Sequence, residues 1–267
     1  MDIKNKVAIV TGGTGGIGFA TVQALLKNGV KHVAIFDVEA TRNRAASQLQ
    51  KIAVEFGKDR ASYVVCDVTN PKQIEDSYNE VVKSQKGVDL LINNAGILSD
   101  THANLMIDIN LKGLVNCTLT AIERMGKHNK GKGGTIVNVA STAGLYPFPA
   151  LPIYNATKFG VYGFTLSLKE HYQNTGVRVV GMCPGVTQTD FLQRNWREES
   201  LKFVDDKFLD DLRNSSGVIQ PPENVAEAIV KMIKEAEPGA IWLSEENKPP
   251  CAIKEAPHYQ SRKMLLK

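Results

Sequence analysis

Three residues near the middle of the chain have the types and spacing for proton chemistry on a hydroxyl group. Tyr154 and Lys158 lie four apart in Tyr154-Asn155-Ala156-Thr157-Lys158, which opens a predicted helix, so the phenol and the ammonium share one face. A phenol with a pKa near ~10 is a poor base at neutral pH. An ammonium at ~4 Å in a medium of effective dielectric ~20 favours phenolate by roughly 4 kcal/mol, or about 3 pKa units. Upstream, Ser141 follows the predicted strand TIVNVA, at the strand end that lines the ligand crevice of a parallel sheet, where its hydroxyl can hold a substrate oxygen beside Tyr154. Taken singly, the Tyr-Lys pair also reads as a surface pair and Ser141 as a strand-end cap.

These side chains need a scaffold that brings separate segments to one edge. Short β-branched runs at 7–11, 33–37, 62–67, 90–93, 135–140 and 177–183 read as buried parallel strands, and 17–28, 40–56, 71–86, 103–128 and 154–173 have helical length and period. The alternation predicts an α/β, single-domain Rossmann fold over residues 1–267, a doubly wound parallel sheet of about seven strands with helices on both faces. A last helix near 222–236, opened by Pro221 and Pro222, leads to a closing strand at 239–243. Residues 188–216 mix Phe191, Leu192, Trp196, Leu201, Phe203, Phe208 and Leu209 with many charges, and read as an amphipathic substrate lid or as two surface helices packed on the core. The tail, 245–267, contains Pro249, Pro250 and Pro257 and is expected to be irregular, either fraying or packing on a neighbouring subunit.

The first strand runs directly into Thr11-Gly12-Gly13-Thr14-Gly15-Gly16-Ile17-Gly18 and then a helix. Glycines at a strand-to-helix turn let the backbone approach a pyrophosphate closely, and the N–H groups and dipole at the helix start stabilise its charge. Asp37, at the end of the second strand, is placed for its carboxylate to accept both ribose hydroxyls of an adenosine, and it also reads as a cap for the next helix. A carboxylate there repels a 2′-phosphate, and no Arg lies in the Gly turn or directly after Asp37, so NAD is expected over NADP.

Composition narrows the class. The chain has 267 residues, 43% hydrophobic and 22% charged with 11 prolines, which suits a globular core and excludes a fibrous or disordered chain. Lys and Arg number 32 against 28 Asp and Glu, and the net +4 is scattered, so no nucleic-acid or membrane footprint is expected. Cys66, Cys117, Cys183 and Cys251 form no CxxC pair, which gives neither a metal pattern nor a disulfide framework. The apolar N-terminal stretch is too short for a signal peptide, no run reaches the roughly 18 apolar residues of a membrane span, and a cytoplasmic location is expected.

The ordered set of motifs resembles the short-chain dehydrogenase/reductase family over nearly the whole chain. The resemblance rests on the turn from Thr11 to Gly18, Asp67 in CDVT, Asn93-Asn94-Ala95-Gly96, Asn110 in NLKG, Ser141, Tyr154, Lys158, and Pro184-Gly185 followed by Thr189. It implies that Ser141 and Tyr154 bind the reacting hydroxyl, with Tyr154 the general base as hydride passes to the nicotinamide. Lys158 would lower the tyrosine pKa and hold the nicotinamide ribose, and Asn110 would position a water linking Lys158 to solvent. On the cofactor side it implies Gly12, Thr14, Gly15, Gly16, Ile17 and Gly18 at the phosphates, Asp37 and Val38 at the ribose, and Asp67 and Val68 at the adenine. Asn94, Ala95 and Gly96 would border the cofactor, and Pro184, Gly185, Val186, Thr187 and Thr189 would hold the carboxamide and phosphate side. Asn93 is expected to tie neighbouring strands. Ala140 stands where many relatives carry a second Ser, a departure that leaves Ser141 in place.

Within the family the chain is most similar to the branch of 15-hydroxyprostaglandin dehydrogenases and insect alcohol dehydrogenase-like proteins, which implies oxidation of a secondary alcohol. Prostaglandin enzymes carry a Gln three residues before the catalytic Tyr; Leu151 stands there, which removes one polar anchor for such a substrate. Leu145, Tyr146, Pro147, Phe148, Leu151, Phe191 and Trp196 form the expected pocket wall, mostly apolar, and suggest a lipophilic alcohol, though they also suit simple loop packing. An NADPH-dependent carbonyl reductase and a non-catalytic NAD-binding sensor are the competing readings. By family analogy, helices 103–128 and 154–173 would pair copies into a homodimer or homotetramer. If Asp37 selects the cofactor, Asp37→Ser shifts the ratio of kcat/KM values for NAD and NADP toward NADP; an unchanged ratio in initial-rate assays would refute that role.

Overall fold

An apolar run can bury both its faces only as an inner strand of a sheet covered on both sides, and five of the six runs take such places while the one at 61–65 forms an edge. In the computed structural model, which describes residues 1–214 and 218–254, the elements run β1 (Val7–Thr11), α1 (Gly16–Lys27), β2 (His32–Asp37), α2 (Arg42–Phe56), β3 (Ala61–Val65), α3 (Pro71–Gln85), β4 (Leu90–Asn93), α4 (Ala103–Ile107), α5 (Leu114–Met125) and β5 (Gly134–Val139). They continue with α6 (Pro152–Ser167), α7 (Tyr172–Thr175), β6 (Val177–Pro184), α8 (Trp196–Glu199), α9 (Asp206–Asn214), α10 (Pro222–Glu235), β7 (Ile241–Ser244) and β8 (Cys251–Ile253). The sheet order is β3-β2-β1-β4-β5-β6-β7-β8. All neighbours are parallel except β7 and β8.

Alternate side chains feed two cores. Ala8, Val10, Leu90, Ile92, Val137, Val139, Val180 and Met182 face α1 and α10, packing against Leu25, Ile229 and Ile233. Val7, Ile9, Leu91, Ile136 and Val179 face α3 and α5, packing against Ile74, Tyr78, Cys117 and Ala121. A buried polar tie crosses between strands and helices: Asn93 Nδ2 donates to Thr118 Oγ1 and Asn138 Oδ1, both at 2.9 Å, and Asn138 Nδ2 donates to Thr165 Oγ1 at 3.0 Å. Asn93 thus ties β4 to β5 and α5, and Asn138 carries the tie on to α6.

The structure departs from the sequence expectations in three places. The run expected as one helix over 103–128 is interrupted by a π-helical turn at Asp108–Gly113. There Asn110 turns inward to bond the Ile97 peptide, and Gly113 lies where a Cβ would be 2.9 Å from the Val68 carbonyl. The helix expected over 154–173 starts two residues earlier and ends at Ser167, with α7 a separate turn. The tail is not wholly irregular, because Cys251–Ile253 returns antiparallel to β7 and satisfies backbone groups that an edge would leave open. Lid residues 215–216 and tail residues 255–267 lie outside the described residues.

Candidate active site

The chain builds β1, β2 and β3 to one side and then returns to place β4 on the other side of β1, so the strand order reverses between β1 and β4. Beyond the carboxyl ends at such a reversal the loops part and leave a crevice. The register brings Thr11 level with Asn93 and Asn93 level with Asn138, so the segments that follow meet at one edge. They enclose a cavity of about 640 Å³.

Its first half is built from the turn after β1. Gly12 has φ 60°, and a Cβ there would lie 2.8 Å from Ala95 Cα. A Cβ on Gly16 would lie 2.7 Å from Thr189 Cγ2, and one on Gly18 would overlap the Gly12 carbonyl and reach Asn94 Nδ2. The glycines therefore let three segments close on one another and leave the uncapped start of α1, with no acid in its first turn, facing the cavity. Asn94 Nδ2 fixes the turn through the carbonyls of Thr11 and Gly12 at 3.1 and 3.0 Å. Asp37 holds it from β2: Oδ2 accepts from Thr14 N and Thr14 Oγ1 at 3.1 and 2.6 Å, and Oδ1 accepts from Val38 N at 2.9 Å. Asp37 does not cap the helix that follows, and Oδ1 keeps a lone pair for a hydroxyl donor.

The second half joins Ser141, after β5, to Tyr154 and Lys158 on α6. Lys158 Nζ donates to Val139 O at 3.1 Å and lies 5.6 Å from the centroid of the Tyr154 ring. Ser141 Oγ accepts from Ala143 N at 3.1 Å, and its hydroxyl lies on the Tyr154 side of the cavity, where it acts to lower the phenol's pKa. The lowered phenol pKa expected from the Tyr-Lys spacing is not found in this structure. Burial pushes Tyr154 up to about 12, opposed by the Ser141 hydroxyl, and pushes Lys158 down to about 8. Desolvation of both groups outweighs their proximity, and the ammonium sits over the ring rather than against the oxygen.

The short chain dehydrogenase family matches residues 6–200. Alcohol dehydrogenase 1 of Ceratitis capitata is 37% identical over 248 residues, covering 92% of this chain and 94% of that protein. The chain belongs to the short-chain dehydrogenase family. The 15-hydroxyprostaglandin dehydrogenase (NAD(+)) of Homo sapiens is 35% identical over 241 residues, 88% of each chain. The crystal structure of a short-chain dehydrogenase/reductase from Burkholderia phymatum in complex with NAD has the same fold, with a TM-score of 0.77 at 21% identity over 92% of this chain and 90% of that one.

In this short-chain dehydrogenase the cavity wall contains Gly12, Thr14, Gly15, Gly16, Ile17, Gly18 and Asp37 at one end, and Asn94, Ala95 and Gly96 in the middle. Ser141, Phe148, Leu151, Tyr154, Lys158, Pro184, Gly185, Val186, Thr187, Thr189, Phe191 and Trp196 line the rest. Seven expected residues do not line it. Tyr146 and Pro147 are exposed on the loop after Ser141. Leu145 turns away to pack with Leu111, Val161 and Ile241. Val38 is exposed beyond Asp37, and Val68 packs under the sheet with Ile74 and Tyr78. Asp67 accepts from Thr69 N and Oγ1 in its own turn, adjacent to Asp37 through the bond from Cys66 N to Asp37 O. Asn110 lies behind the wall with its side chain committed to both groups of the Ile97 peptide, so any hold on a water falls to its backbone.

Other residues escaped the sequence reading. Arg44, on α2, lines the cavity and pairs with Asp190 at 3.3 Å across its mouth. Its one available signal was its place on the helix after Asp37. Gln48 donates to Thr14 O at 3.0 Å, a second hold on the Gly turn. Asn155, inside the Tyr-Lys motif, donates to the carbonyls of Ala143 and Tyr146 and accepts from Phe148 N, which fixes the loop after Ser141. Gly18→Ala is expected to weaken dinucleotide binding about tenfold or more in a fluorescence titration and to lower Tm, because the methyl must displace the Gly12 carbonyl and Asn94. Binding at wild-type strength would contradict the close packing of the turn.

Proposed function

We propose that the protein oxidises a lipophilic secondary alcohol to a ketone with NAD as acceptor. The observation that carries this reading is the convergence of Ser141, Tyr154 and Lys158 at one end of a single cavity whose other end is the glycine turn held by Asp37. The glycine cradle, the free start of α1 and the remaining lone pair of Asp37 suit a dinucleotide with an unphosphorylated ribose. When bound there, NAD supplies the acceptor for the hydride that leaves the carbinol carbon. Ser141 and the Tyr154 oxygen hold the substrate hydroxyl, and Tyr154 takes its proton as the C–O bond gains double-bond character. Lys158 has two donors beyond its bond to Val139 O, which suit the nicotinamide ribose and a proton path. Asn110 acts behind them by holding Ile97 against the cavity. Asp67 and Val68 serve the adenine side, and the loop from Pro184 to Thr189 serves the nicotinamide side, braced by Gln220 N–H on Val186 O and Gln188 N–H on Gln220 O.

Leu98, Phe148, Leu151, Phe191, Leu192 and Trp196 give the substrate end an apolar wall, and Phe191 and Trp196 pack in the same cluster as Tyr154. This packing supports reading 188–216, as far as its described residues 188–214 go, as the substrate lid of a single cofactor-binding domain. Arg44 is the one feature that favours an NADPH-dependent carbonyl reductase, but it is paired with Asp190, and Asp37 stands against a 2′-phosphate. Leu105, Ile107 and Leu119 on α4 and α5 and Phe159 on α6 are each 40% exposed or more, and this apolar stripe suits pairing of two copies into a homodimer or homotetramer. We propose a cytoplasmic location, with which the four free cysteines are compatible.

Initial rates with NAD and NADP across secondary alcohols of graded length test the reading. Turnover is expected with NAD, lost in Tyr154→Phe, with kcat/KM rising up to about fourfold per methylene, the ~0.8 kcal/mol of a buried CH2. A preference for short polar alcohols such as glycerol, or full activity in Tyr154→Phe, would overturn it.

A further inference from the structure

α6 begins without a cap of its own. Leu151 offers no side-chain acceptor at the N-cap and Pro152 has no N–H, so the N–H groups of Ile153 and Tyr154 are the first that need a partner. Asp100 supplies both. Its fully buried carboxylate accepts from Ile153 N at 2.8 Å through Oδ2 and from Tyr154 N at 2.9 Å through Oδ1, across 53 and 54 residues of sequence. Elsewhere the chain uses a cheaper device: Asn70, the N-cap residue of α3, accepts locally from Lys72 N and Gln73 N. A local side chain is the ordinary way to cap a helix, and a buried carboxylate reaching from another loop is not.

We propose that Asp100 is a positioning residue for proton transfer, its two-pronged hold on the start of α6 setting where Tyr154 presents its hydroxyl to Ser141. The proposal rests on the reading of Tyr154 as the base. One of the two N–H groups that Asp100 holds belongs to Tyr154 itself, so the backbone that carries the phenol is pinned at its own peptide. The carboxylate also meets the positive end of the α6 dipole. Burial pushes its carboxyl group up while the two N–H bonds hold it down, so those bonds keep the charged form in place.

The loop that carries Asp100 reaches the substrate as well. Leu98 lines the cavity, and its carbonyl accepts from Arg194 Nη1 at 3.4 Å. Thr101 Oγ1 donates to the carbonyl of Glu198 at 3.3 Å. Wall, lid and the helix of the base therefore share one anchor, and a shift at Asp100 moves the base relative to the bound alcohol. The dinucleotide end of the cavity is held by Asp37, Asn94 and Gln48, and that shift does not touch it.

The test compares Asp100→Ala and Asp100→Asn with Asp89→Ala. Asp89 also holds a backbone N–H with its carboxylate, that of Val7 at 2.9 Å, but it does so at the opposite edge of the sheet. Expected for Asp100→Ala is a fall in kcat of about tenfold to a hundredfold, the scale of an ångström-sized misplacement, with a much smaller change in the Kd for NAD, whose phosphates and adenosine are held at the other end. Asp100→Asn, which keeps one acceptor oxygen, is expected to recover part of that loss, and it carries the test alone if the Ala variant does not fold. Asp89→Ala lowers Tm while keeping kcat. Loss of Tm without loss of kcat in the Asp100 variants, or a loss of NAD affinity as large as the loss of kcat, would overturn the proposal. Full turnover by Tyr154→Phe, measured alongside, would instead remove the base assignment and the positioning role with it.

Discussion

The burial of Lys158 is the constraint on which the rest of the site depends. Its side chain lies in a wall made by β5, β6 and α6, with the Val139 carbonyl as the acceptor of its ammonium and, among the described residues, no carboxylate partner. Desolvation lowers it from 10.5 to about 8, which corresponds to roughly 3 kcal/mol of folding stability at neutral pH. The sign follows from proton counting. Between pH about 8 and 10.5 the unfolded chain holds the proton and the folded chain has released it, so stability rises with pH across that window and the penalty is fully present below it. Its two remaining N–H donors need acceptors in the working state, which the ribose hydroxyls of the proposed dinucleotide would supply.

The phenol beside it obeys the same rule with the opposite consequence. Burial favours neutral Tyr154, and in the protein alone the Ser141 hydroxyl is the group that opposes this. The buried polar tie from Asn93 through Asn138 to Thr165, the inward turn of Asn110 and the hold of Asn155 on the loop after Ser141 keep these groups in register. Little is left to local flexibility at the reacting end. The segment after β6 joins through Phe191, Trp196, Val204 and Leu209, which pack in one cluster with Tyr154 and Leu151.

What could be read from the sequence is what local order decides. The β-branched runs, the glycines before a helix, the acid ending the second strand and the four-residue Tyr-Lys spacing each carry their reason within a few residues. Asp100, Arg44 and Gln48 were not legible, because each owes its role to a partner brought close only by the sheet. Leu145 was misplaced because a loop residue in an apolar stretch can face the cavity or the core with equal hydrophobicity. The π-helical turn at 108–113 needed knowledge of the Ile97 peptide that Asn110 satisfies, and β8 needed knowledge of the open edge of β7.

The account holds that the buried phenol becomes a base only when the dinucleotide completes the site. The direct measurement is an ultraviolet difference titration of the Tyr154 phenolate, wild type minus Tyr154→Phe, with and without saturating NAD. Without NAD the group should titrate at about 12, as its burial dictates. With NAD the midpoint should fall far enough to populate phenolate near neutral pH, the effect of a nearby positive charge on a desolvated phenol. A midpoint that stays in place or rises when NAD binds would contradict the account.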